Sequence, residues 1–235
     1  MSIYKNENGK LVRFDSGGGG NSIAISATQP TDQKAGDLWF VVSKNYYNFN
    51  YLSNSNFSKN TNGLTTYTNS NYSNPTSTVD NWNLLGGFDN IANLEVTNNG
   101  VKLYKIANGS RMEISLFQNV KIQVPEEVPE NKYWSLQIIC KLSNVNVTDN
   151  VQLRIGVNDN DKTAMSGMYK SITSSGTYNL KLDSTNVYLN NKVTKDATEF
   201  YAQACISIND TISTSETISE CTIEEVTMQL ILEDK

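Results

Sequence analysis

From residue 94 onward, apolar side chains recur at every second position. Leu94/Val96, Val101/Leu103 and Ile114/Leu116 are short alternating runs, punctuated by Asn99-Gly100 and Asn108-Gly109. Trp134, Leu136, Ile138, Cys140 and Leu142 alternate with Ser135, Gln137 and Lys141, with Ile139 the exception. Val151, Leu153, Ile155 and Val157 alternate with Gln152, Arg154 and Gly156, and further runs follow at 178–182, 187–189, 200–208 and 223–232. A period of two describes strands with one dry and one wet face, the pattern of antiparallel sheets rather than of buried parallel ones. Pro125 and Pro129 bracket an acidic loop that a sheet interior excludes. No helix of ordinary length is written into the chain; 196–200 is a turn at most. The expectation is an all-β fold, a jelly-roll β-sandwich of about eight strands. The runs ending at Leu142 and starting at Val151 should form an antiparallel pair over a common core. The first and last strands, near Tyr51 and Val226, should lie side by side.

The first fifty residues read differently. Ile3-Tyr4 and Leu11 to Phe14 flank Asn8-Gly9, a dipeptide suited to a tight hairpin turn. Gly17 to Gly20 follow as a linker; no Lys-Ser/Thr comes after them, so they are not a phosphate-binding loop. Ile23, Ile25, Pro30 and Gly36 to Val42 suggest a compact hairpin-like β-module, whose Trp39 and Phe40 are large enough to pack against a neighbour. The organisation expected is therefore an N-terminal anchor at 1–20, a short β-module at 21–48 and the sandwich at 49–235.

Composition narrows the function classes. The hydrophobic share is 38% and the charged share only 18%, with the balance made up by Asn, Ser and Thr, so the chain is not of the highly charged disordered type. A net charge of −5 without a basic cluster argues against nucleic acid as a partner. No run approaches a membrane span, and the first residues lack an apolar signal core, so membrane insertion and signal-peptide export are not expected. The chain has three cysteines, Cys140, Cys205 and Cys221, an odd and widely spaced set that reads as buried free thiols.

The chain contains no histidine, which removes Ser-His-Asp and Cys-His nucleophile systems and every His-ligated metal. Carboxylates such as Asp80, Asp89, Asp159, Asp161, Glu224 and Glu225 remain, but none sits in the apolar, aromatic setting that would make a general acid, so no catalytic residue and no enzyme activity is expected. Asn158 to Asp161 resembles half an EF-hand loop but lacks its glycine and its closing glutamate, and suits a turn. Sugar recognition needs flat aromatic faces with amides beside them. Tyr67, Tyr72, Tyr169, Tyr46 and Tyr47 lie in polar surroundings, and Asn69, Asn71 and Asn74 neighbour the first two. The same tyrosines also suit a loop-fastening role, ring buried and hydroxyl bonded. Trp82 and Trp134 fall on strand patterns and read as core.

Residues 50–82 carry a family resemblance. Asn54, Asn56, Phe57, Gly63, Tyr67, Tyr72, Asp80 and Trp82, with the later Leu116, Gln118, Val120 and the closing Thr222 to Met228, resemble the carbohydrate-binding-module-like jelly roll of bacteriophage tail-fibre and virion proteins. Asn81 stands where that pattern prefers Arg. The segment Ala27-Thr-Gln-Pro30 with Gly36-Asp-Leu-Trp-Phe40 resembles a short module of phage tail and baseplate proteins. The resemblance implies a virion structural protein, made in the host cytoplasm, joined to other virion proteins through its N-terminal segment and attached to host-surface glycan. The ligand contacts expected from tyrosines with amides beside them are Tyr67, Tyr72, Asn69, Asn71 and Tyr169. The resemblance further implies a homo-oligomer, a trimer by analogy with fibres, although the chain shows no coiled-coil heptads. No cofactor is expected beyond the structural calcium that related modules hold between first and last strands, where Asn56, Glu224 or Glu225 would be oxygen ligands. The alternative is a purely structural capsid or tail decoration protein with no glycan ligand.

Overall fold

A computed structural model describes residues 23–26, 38–41, 49–71, 73–86, 90–107, 112–124, 128–158, 166–183, 198–210 and 219–235. The chain divides into two units, Met1–Asn45 and Tyr46–Lys235. In the first, β1 (Ile23–Ser26) pairs with β2 (Leu38–Val41) in parallel, Ile23 opposite Leu38. This corrects the hairpin expected there. A tight turn can join only antiparallel strands, and 27–37 are long enough to bring the chain back for parallel pairing. The expected anchor at 1–20 lies outside the described residues.

The second unit is an all-β sandwich of two antiparallel six-stranded sheets, and the described residues include no helix. No helix among the described residues is long and apolar enough to cross a membrane. The strands are β3 (Thr66–Asn69), β4 (Thr76–Ser77), β5 (Asn83–Leu85), β6 (Asn90–Thr97), β7 (Gly100–Ala107), β8 (Met112–Gln123), β9 (Lys132–Asn146), β10 (Asn150–Asn158), β11 (Ser166–Ile172), β12 (Gly176–Asp183), β13 (Glu199–Asp210) and β14 (Ser219–Asp234). One sheet runs β12-β9-β14-β7-β6-β3, the other β11-β10-β13-β8-β5-β4. From β7 to β10, and again from β11 to β14, the chain changes sheet at every step. Neighbours in a sheet are therefore mostly distant in sequence, as in a jelly roll.

Two expectations change here. The sandwich has more strands than expected, because the short strands β3, β4 and β5 carry too few residues for a period to register. The strands β9 and β10 are not hydrogen-bonded partners: β9 pairs with β12 and β14, β10 with β11 and β13. They face one another across the core instead. Alternation reports which face of a strand is dry, and it is blind to which sheet the strand joins.

The inner faces form one core. Leu136, Ile138 and Cys140 of β9 and Val226, Met228 and Leu230 of β14 meet Val151, Leu153 and Ile155 of β10 and Ala204, Ile206 and Ile208 of β13, all buried. Trp134 stacks on Phe200 across the sheets at 5.8 Å between ring centroids. The burial expected for Trp82 is also seen: it is 1% exposed and tilts against Phe57 at 5.0 Å.

The residues around Asn54 close the sandwich. The Asn54 side chain accepts from Lys59 N at 2.8 Å and donates to the Lys59 and Asp80 carbonyls, while its own carbonyl accepts from Trp82 Nε1 at 3.1 Å. Asp80 in turn accepts from the Thr61 amide and hydroxyl, which hold its carboxyl below the usual range. Asn81 has φ +71°, a left-handed conformation that Asn tolerates better than most side chains. That is a local reason for Asn here rather than Arg. Phe57 shares the left-handed region at φ +58°, held there by burial against Trp82. Gln118 reaches from β8 to bond both the amide and the carbonyl of Ser53, at 2.8 and 3.0 Å. Tyr51 N donates to Met228 O and Val226 N to Ser55 O, both at 2.8 Å, so the first segment does run beside β14 as expected.

Candidate functional site: the outer face of the second sheet

Because β8, β10 and β13 bury every second residue, the intervening ones must project from the opposite side. On β10 these are Gln152, Arg154 and Gly156; on β13 Tyr201, Gln203, Cys205 and Ser207; on β8 Glu113, Ser115, Phe117, Asn119 and Lys121. Register then sets them in rows. Tyr169 of β11 stands opposite Arg154, Arg154 opposite Cys205, and Cys205 opposite Phe117. The adjacent row is Gly167, Gly156, Gln203 and Asn119.

A polar network fixes the first row. Arg154 Nη1 and Nη2 donate to the two oxygens of Glu113 at 2.5 and 2.9 Å, and its Nε and Nη2 reach Gln152 Oε1, the former at 2.9 Å. Glu113 Oε1 also accepts from Ser207 Oγ at 3.0 Å and Ser115 Oγ at 3.2 Å. Ser207 and Ser115 lie 3.0 Å apart, both buried. A bidentate Arg–carboxylate pair with its remaining lone pairs satisfied has one geometry, not an ensemble of them. Cys205 lies buried beside this network, and burial pushes its thiol up, so it stays neutral. Next to this floor, Gln203 Nε2 donates to Asn119 Oδ1 at 2.9 Å.

The second row supplies the hollow. Gly156 and Gly167 face one another across β10 and β11, so a pair of side chains is missing between Arg154, Tyr169 and Gln203. The strands approach closely there: a Cβ on Gly167 would stand 1.5 Å from the Ile155 carbonyl oxygen. The result is a depression of about 130 Å³ walled by Arg154, Met168, Tyr169 and Gln203. Tyr169 is 60% exposed and its ring lies 6.0 Å from the Arg154 guanidinium. The volume is below the ~300–1,000 Å³ of pockets that engulf a small molecule, so the site offers one ring-sized seat on an open face. Its chemistry is a flat aromatic wall, an amide and a guanidinium edge, the groups that stack on and hydrogen-bond to a polyhydroxylated ring.

Of the residues proposed from sequence, Tyr169 is in this site and the others that can be placed are not. Tyr67, open between ligand contact and loop fastener, takes the second role: it is 5% exposed, its hydroxyl 2.7 and 2.6 Å from Oδ1 of Asn60 and Asn62. It fastens the loop that leads into β3, because inward-facing β3 positions join the core. Asn69 is buried, donating to the Asn74 and Leu84 carbonyls, and Asn71 accepts from the Ser73 and Asn74 amides, so both organise a turn. Tyr72 lies outside the described residues. Arg154, Gln203, Glu113 and the glycine pair were not foreseen. The signal available was Gly156 inside the 151–157 strand pattern, where glycine weakens a strand unless close approach or a site requires it.

Of the three proposed calcium ligands, Glu224 and Asn56 have partners within the protein. Glu224 sits at a register shift in β14 and pairs with Lys141 at 2.6 Å; Lys141, then Ser143, hold its carboxyl below the usual range. Asn56 Oδ1 accepts from Ser58 N at 3.3 Å, and Glu225 is exposed. Among the described residues no three Asp, Glu, Cys or His side chains converge.

No protein-family model and no curated protein sequence matches the chain. Solved structures do. The enzymatically active domain of bacteriophage CBA120 tailspike protein 4 is similar at 15% identity and TM-score 0.40, covering 77% of this chain and 21% of that one. A family 11 carbohydrate-binding module from Clostridium thermocellum, in complex with a mixed-linked tetrasaccharide, is similar at 8% identity and TM-score 0.37, covering 70% and 95%. A family 29 carbohydrate-binding module from Piromyces equi is similar at 14% identity and TM-score 0.30, covering 71% and 92%.

Proposed function

We propose that the sandwich is a non-catalytic glycan-binding module whose ligand face is the outer side of the second sheet, centred on Tyr169, Arg154 and Gln203. The observation that carries this reading is the ring-sized depression left by Gly156 and Gly167 beside an exposed tyrosine and a fixed guanidinium. Tyr169 stacks on a sugar ring, Gln203 and Arg154 bond its hydroxyls, and the Glu113–Ser207–Ser115 network keeps the guanidinium in place without moving on binding. Such preorganisation is what a weak, single-ring site needs. The proposed action is non-covalent recognition of the ring.

The setting we propose is a virion. It is supported by the resemblance of residues 50–82 and of 27–40 to phage tail and baseplate segments. The N-terminal unit joins other virion proteins, and many copies on one particle convert weak binding to host-surface glycan into firm attachment. A glycan array probed with the multimerised chain tests the reading: a binder is expected, and Tyr169→Ala should lower its affinity at least tenfold, about 1.4 kcal/mol or more. Silence of the whole array, or unchanged binding by the variant, would contradict it. Particles that fail to assemble rather than fail to adsorb would favour the structural alternative.

A further inference from the structure

We infer that the site selects uncharged sugars and that Glu113 is the residue that excludes acidic ones; the inference rests on the glycan reading above. An unpaired arginine on an open face would attract the carboxylate of a uronic or sialic acid. Arg154 is not unpaired. Four of its five N–H groups are already directed, two at Glu113 and two at Gln152. Glu113 is itself held by Ser207 and Ser115, so it is fixed in its place against the guanidinium.

An incoming carboxylate therefore meets a cation whose charge is matched and whose bidentate fork is occupied. To bind, it must either displace Glu113, breaking bonds to Arg154 and two serines, or sit beside a like charge at contact range, which disfavours association. The other cation on the described strands of this face is Lys121, and it too is matched, by Glu199. A neutral sugar needs none of this rearrangement. Its hydroxyls find the remaining Arg154 N–H, the edge of Glu113 and the Gln203 amide, with the ring on Tyr169. Positive charge is present on this face as structure, not as bait.

The test uses a panel of neutral polysaccharides, mannan, galactan and glucan, each compared with its own C6-oxidised uronate form, against the full chain. The expected result is that the best neutral ligand binds at least tenfold tighter than its uronate, with little dependence on salt between low and physiological ionic strength. Glu113→Gln should narrow that ratio or reverse it, because it keeps shape and hydrogen bonding but frees the guanidinium charge. Uronates that bind the wild-type chain as well as the neutral forms, or more tightly and with strong salt dependence, would overturn the charge assignment while leaving the glycan reading intact. An unchanged ratio in a folded Glu113→Gln protein would overturn the role of Glu113. Absence of binding to every neutral and oxidised polysaccharide would overturn both. The salt series needs no variant, so the inference stays testable if Glu113→Gln does not fold.

Discussion

On the outer face of the first sheet the cations are lysines: Lys102 with Glu220, Lys141 with Glu224 and Lys181 with Glu233, at 2.6 to 2.8 Å. On the outer face of the second sheet the central cation is Arg154, locked by Glu113 and Gln152 beside two buried serines. Both faces arise from the same alternation of dry and wet positions. The lysine pairs are long, flexible and partly exposed, and pairs of that kind contribute little and solvate a surface. The arginine cluster is no less exposed, but it is bidentate and mostly satisfied, with a glycine gap and an exposed tyrosine at its side. The difference teaches that a strand's wet face is not uniformly solvent: where rigid planar groups replace lysines and side chains are withheld, the same pattern makes a seat for a ligand.

The largest effect expected from breaking this contrast comes from Gly167→Ala. Its Cβ would strike the Ile155 carbonyl at 1.5 Å, so β10 and β11 must separate. Overpacking of this kind costs roughly 1–3 kcal/mol, measured as a lower urea midpoint, and glycan binding should vanish with it. A variant as stable as the parent that still binds would show that the hollow is not formed by close approach.

An intermediate effect separates the inner surfaces from the outer ones. Cys140 and Cys221 belong to the first sheet's inner face, and burial pushes both thiols up, Cys221 to about 12 from 9.0. A folded-state pKa above the unfolded one favours folding while the thiol is neutral. That stability is intact below pH 9.0 and lost progressively as pH rises toward about 12. The buried Cys221 thiol should steepen the alkaline fall by about 1.4 kcal/mol per pH unit across that window. Urea titrations from pH 8 upward should therefore show falling stability, less steep in Cys221→Ala. A flat profile, or equal slopes in the two proteins, would contradict the burial of these thiols.

The smallest effect is expected on the lysine face. Lys141→Ala should leave the melting temperature unresolved from the parent and glycan affinity unchanged, since Lys141 is exposed and its pair is open to solvent and salt. A clear loss of binding would place a ligand surface on the wrong sheet.

Much of the architecture was legible in the chain. The two-residue period around Leu136 and Leu153 gave strand identity and facing, and it implied a core that holds Trp82 and Trp134. Strand partnership was not legible, because β9 and β10 share one pattern yet join different sheets, and register is set by contacts between residues far apart in sequence. The site suffered for the same reason. Tyr169 was visible as an aromatic in polar surroundings, but its neighbours Arg154, Gln203 and Glu113 come from three other strands. Tyr67 could be read either way from loop composition, and its place on β3 is what turns the ring inward. Asn81 could be recognised as a departure from the resembling pattern, and only its backbone conformation explains it.

The most direct measurement is a titration of the ¹⁵N-labelled chain with the best neutral oligosaccharide, followed by amide chemical-shift mapping. The account predicts saturable shifts concentrated at 154–156, 167–169 and 203, with those around Lys102, Lys141 and Glu220 unmoved. Shifts centred on the lysine-bearing face, with the Gly156–Gly167 hollow silent, would contradict it.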